Sequence, residues 1–128
     1  MDLIDREELK ENLDRGHDFR LVMTLGEWAY RSKHIPNSLR ISTAREALET
    51  LDPHDEIVLY DSGPRCPASR MVCRILKYRG YDRVRCYAGG LEEWASIGYP
   101  LAGEDNFGFE GNVASKEAKD DIRVLSRC

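Results

Sequence analysis

The sequence predicts an α/β domain of three layers, with a central, mainly parallel sheet flanked by helices. Three observations carry that expectation. Ile57-Val58-Leu59-Tyr60 is an unbroken apolar run with two β-branched residues, the pattern of a strand buried on both faces. A loop of turn formers follows, Asp61-Ser62-Gly63-Pro64-Arg65-Cys66, and then a stretch with helical apolar spacing. A second short strand and a second helix come next. Strand–loop–helix–strand–helix order implies parallel strands joined by right-handed crossovers.

The remaining elements can be justified in chain order. Asp5 and Glu8 resemble a capping box, Leu9 and Leu13 share a helical face, and Gly16 offers a stop. A helix over about Arg6 to Arg15 follows. Phe19 to Met23 has no helical cap and reads as a buried strand. Gly26 to Tyr30 starts a short helical turn bearing Trp28, broken where Pro36 biases Ile35 out of the helical region. Leu39-Arg40-Ile41 suits a second strand. Thr43 can cap a helix from Ala44 to Leu51, ended by Asp52-Pro53.

The apolar strand then spans Glu56 to Tyr60. Pro67 suits the first turn of the next helix, where its missing N–H costs nothing. Ala68, Met71, Val72, Ile75 and Leu76 fall on one stripe that runs out at Arg79, so that face is expected to be buried. Gly80 ends this helix. Val84 to Tyr87 forms a strand, Gly89-Gly90 a turn, and Leu91 to Ile97 a helix bearing Trp94, closed by Gly98 and Pro100. Trp28 and Trp94 are expected to serve core or rim packing.

The chain has 128 residues, so one domain is expected. We place it at residues 1–103. Residues 104–128 read as a C-terminal tail, mobile or packed on the domain, with a charged, weakly helical stretch from Ala114 to Leu125. The net charge of −4 argues against a general grip on nucleic acid, although a local basic patch is compatible with it. No apolar run approaches the roughly 20 residues of a membrane span. The acidic N-terminus lacks the apolar stretch of an export signal, so a cytoplasmic location is expected.

Cys66, Cys73, Cys86 and Cys128 do not have the spacing of paired zinc ligands, and His17, His34 and His54 lie far from them in sequence. No metal or organic cofactor is indicated. Cys73 and Cys86 read as small buried hydrophobes.

In parallel sheets, ligands bind beyond the carboxyl ends of the strands. The loop from Asp61 to Cys66 stands there and leads into a helix whose N-terminal N–H groups favour an anion. Arg65 and Arg70 add positive charge. Cys66 is the best-placed nucleophile in the chain on these grounds.

Several ordered segments together resemble the rhodanese family. They are Phe19–Val22, Lys33-His34-Ile35-Pro36-Asn37-Ser38, Ile57–Tyr60 with its loop, Lys77-Tyr78-Arg79-Gly80-Tyr81 before Val84, and Gly89-Gly90-Leu91-Glu92-Glu93-Trp94 with Gly98-Tyr99-Pro100-Leu101. The likeness runs over about residues 3–102. It implies a rhodanese-like fold and chemistry on sulfane sulfur. In such relatives a loop cysteine after the central strand accepts sulfur as a persulfide, cradled by backbone N–H groups.

This sequence departs from that pattern in three places. The residue after Tyr60 is Asp61 rather than cysteine. Met23-Thr24-Leu25 stands where many relatives have Asp-Val-Arg. The loop's usual arginine falls at Cys66, with Arg65 one residue early. Asp61 at the loop's start also argues against a cysteine-phosphatase reading, which needs a thiol there.

Two readings follow. In the preferred one, Asp61 occupies the anion nest formed by Asp61, Ser62, Gly63, Pro64, Arg65 and Cys66. The domain then serves as a binding or regulatory module, inactive toward thiosulfate. In the other, Cys66 carries sulfur from the far side of the loop. His34 and Arg70 are candidates to support the loop, although His34 beside Pro36 is first a structural residue. The expected partner is a sulfur-containing anion or a protein, with neither nucleic acid nor membrane.

Overall fold

The computed structural model describes residues 2–104. In chain order the elements are α1 (Arg6–Asp14), β1 (Arg20–Met23), α2 (Glu27–Ser32), β2 (Ser38–Arg40), α3 (Ala44–Thr50), β3 (Ile57–Tyr60), α4 (Ala68–Tyr78), β4 (Val84–Tyr87) and α5 (Gly90–Ser96). The charged, weakly helical stretch from Ala114 to Leu125, Cys128 and the rest of the sequence beyond Glu104 lie outside the described residues. Among the described residues, no helix is long and apolar enough to cross a membrane.

The four strands form one parallel sheet in the order β2-β1-β3-β4. The chain steps outward from β1 to β2, then jumps back across to β3 and on to β4. The order reverses between β1 and β3, and the crevice at such a reversal is where open α/β sheets bind ligands. Thr24, just past β1, ties that crevice by donating both its N–H and its hydroxyl to the Tyr60 carbonyl, at 3.0 and 3.2 Å.

Alternation along β3 builds the three layers. Ile57 and Leu59 face one side, with Ala47 of α3 and Val72, Cys73 and Leu76 of α4. Val58 and Tyr60 face the other, with Leu9 of α1, Ala29 of α2, and Leu91 and Trp94 of α5. All four residues of β3 are buried, as the apolar run predicts. Both expected caps form: the Glu8 N–H donates to Asp5 Oδ1 at 2.8 Å, and the Glu46 N–H to Thr43 Oγ1 at 3.1 Å. One feature lacks a sequence signal. Residues Asp2–Ile4 pair with Cys86 along the free edge of β4, covering donors that would otherwise be exposed.

Two packing expectations need correction. Trp94 is buried, but Trp28 is 70% exposed. The short helix α2 buries only Ala29, and Trp28 points outward with the Arg31 guanidinium 5.1 Å over its ring. On α4 the buried face consists of Ser69, Val72, Cys73 and Leu76, whereas Met71 and Ile75 are exposed. The helix is rotated by about one residue, ~100°, from the stripe the apolar spacing marked. Short Ser69 and Cys73 are on the buried face, and Ser69 is hydrogen-bonded to Asp61 there.

Candidate functional site

The loop after β3 is built around Asp61, which is 1% exposed. Its position continues the alternation of β3 and aims its side chain at the start of α4. Asp61 Oδ2 accepts the Ser69 N–H at 2.9 Å and the Ser69 hydroxyl at 2.8 Å. Asp61 Oδ1 accepts the Gly63 N–H at 3.2 Å. The helix has no cap from Pro67, its N-cap residue, so Asp61 supplies the acceptor that the first turn lacks. A negative group at this helix end is also favoured by the aligned peptide dipoles.

The network extends one step further. Ser69 Oγ lies 3.1 Å from Cys86 Sγ. The single Ser69 hydroxyl proton goes to the carboxylate, so the Cys86 S–H must point at Ser69 Oγ. Burial pushes the Cys86 thiol up from its ordinary 9.0, which fits a proton held on sulfur. The nearby Cys73 thiol is raised for the same reason.

Cys66 lies on the opposite side of the loop. It is 2% exposed and packs in the apolar cluster that contains Tyr60, Leu91 and Trp94. Its N–H donates to the Gly63 carbonyl at 3.0 Å. Arg65 is exposed, and Arg70 Nη1 reaches back to the Pro64 carbonyl at 3.3 Å. The loop therefore brings Asp61 and Cys66 together along the chain but separates their side chains.

The other side of the loop rests on the turn before α5. The Leu91 N–H donates to the Asp61 carbonyl at 2.9 Å, and the Glu92 N–H to the Ser62 carbonyl at 2.8 Å. Gly90 permits this approach. Its φ is +64°, and an added Cβ would stand 2.7 Å from both the Asp61 carbonyl oxygen and the Gly63 nitrogen.

His34 is held elsewhere. Its ring stacks on Tyr30 at 3.8 Å, and its backbone exchanges two hydrogen bonds with Ala102. The Tyr30 carbonyl can only accept, so the His34 Nδ1 carries the proton in their 2.7 Å contact. The neighbouring Ile35 N–H donates to the Tyr60 hydroxyl at 2.9 Å, which connects this segment to β3.

Ser69 and Gly90 are the residues sequence reasoning missed. A serine in the first turn of α4, beside the apolar stripe, is a signal for the first. The Gly89-Gly90 pair was a signal for the second but pointed only to a turn.

Among the described residues, every buried side-chain nitrogen and oxygen has a hydrogen-bond partner. No group of three or more His, Cys, Asp or Glu is placed to hold a metal ion there. A cleft of about 560 Å³ lies past the Gly89-Gly90 turn, lined by Ile4, Arg6, Tyr87 and Glu93 among others. None of the residues 61–66 lines it. The Tyr87 hydroxyl donates to Glu93 Oε1 there at 2.7 Å, and burial beside that carboxylate drives the phenol pKa upward.

Residues 5–97 match the model of the Rhodanese-like domain. No curated protein matches the chain in sequence. In structure it is similar to the rhodanese-like domain of an Anabaena protein, with a TM-score of 0.74 and 22% identity over 85% of each chain. A Bacillus halodurans protein gives 0.73 and 20% identity, over 88% of this chain and 89% of that one. A rhodanese-related protein from Thermoplasma volcanium gives 0.70 and 21% identity, over 81% of this chain and all of that one.

Proposed function

This chain belongs to the rhodanese-like domain family, and on that premise we propose that it is a binding or regulatory module whose anion nest is filled by its own Asp61. Residues 1–103 carry this role as one domain, followed by the C-terminal tail 104–128. One observation supports the reading above the others. The buried Asp61 carboxylate already takes the Gly63 N–H, the Ser69 N–H and the Ser69 hydroxyl. In sulfur-transferring relatives, the resemblance implies, such loop donors serve the sulfur on a cysteine. A carboxylate has no thiol with which to form the S–S bond of a persulfide. The sulfurtransferase fold then survives as a scaffold, and the partner is a protein or a sulfur-containing anion in the cytoplasm.

The displaced-thiol alternative needs a Cys66 thiolate to attack the outer sulfur of thiosulfate. The S–S bond of thiosulfate would break, sulfite would leave with the electron pair, and a persulfide would remain on Cys66. Its sulfur would have to be reached by a dianion. Burial at 2% within an apolar cluster weighs against that.

The test is turnover of thiosulfate with cyanide as sulfur acceptor. Wild type should match the uncatalysed rate, and Asp61→Cys should exceed it. Wild-type turnover that disappears in Cys66→Ser would overturn the reading in favour of the displaced thiol.

A further inference from the structure

α4 carries a second apolar stripe that the fold leaves unused. Met71, Ile75 and Tyr78 are 56%, 37% and 88% exposed and stand at i, i+4 and i+7, on one face of the helix. Scattered exposed apolar residues need no explanation, but a contiguous set rimmed by charge marks an interaction site.

The charges carried by this segment have one sign. From Ser62 to Tyr81 the sequence holds Arg65, Arg70, Arg74, Lys77 and Arg79 but no Asp or Glu, in a chain whose net charge is −4. Lys77 is neutralised by Asp2 at 2.8 Å. Arg65, Arg74 and Arg79 have no acidic partner among the described residues. Other helices contrast with this: Lys10–Asp14 in α1, Arg31–Glu27 in α2 and Arg45–Glu49 in α3 are i,i+4 ion pairs. α4 has no acid with which to form one. Among the described residues, its outer face is therefore an apolar centre flanked by Arg74 and Arg79 without acidic partners, the anatomy of a docking patch.

We propose that this face docks an acidic, amphipathic segment of a partner protein. The partner's apolar side chains cover Met71, Ile75 and Tyr78, and its carboxylates meet Arg74 and Arg79. Charge complementarity selects the acid, and the apolar stripe between the arginines selects a helix with its own stripe over a phosphate polymer. Three residues make too narrow a face for a helix that lies in a lipid surface. The proposal rests on the binding-module reading only in naming what the module binds.

The test titrates the full chain with a labelled synthetic peptide of about 18 residues, with Leu at i, i+3, i+4 and i+7 and Glu between. A scrambled peptide of the same composition, poly-U RNA and phosphatidylserine vesicles are the comparison probes. The patterned peptide should bind at least about tenfold tighter than the scrambled one, and weaken by at least about tenfold in R74E/Y78S and at high salt. Amide shifts should move at Met71, Arg74, Ile75 and Tyr78. Equal binding of the two peptides, unchanged binding in a folded R74E/Y78S, preference for RNA or vesicles, or no binding would each overturn the proposal. A persulfide on Cys66 with peptide binding intact would instead overturn the filled-nest reading and leave this one standing.

Discussion

The two sides of the loop between β3 and α4 solve opposite problems. Toward α4, Asp61 and Ser69 satisfy one another and the first turn of the helix through polar contacts. Toward α5, Cys66 joins Tyr60, Leu91 and Trp94 in an apolar cluster. One side is a buried carboxylate with its donors in place. The other is a buried thiol within an apolar cluster. Both sides are buried: the polar side is tied to the first turn of α4, and the thiol side packs against α5.

The sharpest break should come on the polar side. Asp61→Ala leaves the Gly63 and Ser69 N–H groups and the Ser69 hydroxyl without their acceptor in a buried place. It should cost about 3–4 kcal/mol in chemical denaturation. A loss under about 1 kcal/mol would mean that water replaces the carboxylate and that the nest is less closed than described. Gly90→Ala should follow at about 2–3 kcal/mol, because the new Cβ meets backbone atoms and the residue keeps a positive φ. Heteronuclear spectra should then show the largest shifts at Asp61 and Gly63.

On the apolar side the effect should be smaller. Cys66→Ala removes the sulfur from the Tyr60–Leu91–Trp94 cluster and should cost about 1–2 kcal/mol by denaturation. A neutral or stabilising result would mean that Cys66 reaches water. The smallest effect is on pH dependence. Cys73 and Cys86 have thiol pKa values raised by burial. Their contribution to stability is fully present below the unfolded thiol value of 9.0, and is lost as pH climbs from there through the higher folded values. Cys86→Ala should flatten that alkaline fall in melting temperature.

Much of the fold was legible because its signals are local. The apolar run of β3 fixed a central strand, and Asp5 and Thr43 cap the helices they were expected to cap. The rotation of α4 was not legible, because the helix has two apolar stripes and its contacts with Asp61 and the sheet lie outside the helix's own pattern. Trp28 misled for a related reason, since a short helix needs to bury only Ala29. In the site, the loop between β3 and α4 could be read from the chain. The Ser69–Cys86 contact and the docking of Gly90 could not, since they join segments 17 and 27–29 residues apart.

The filled nest can be tested on the wild-type protein with one measurement. The reduced, folded chain is exposed to polysulfide, its intact mass is taken, and any added sulfur is mapped by peptide. No sulfur is expected on Cys66. A persulfide on Cys66 in folded protein, absent in Cys66→Ser, would contradict it.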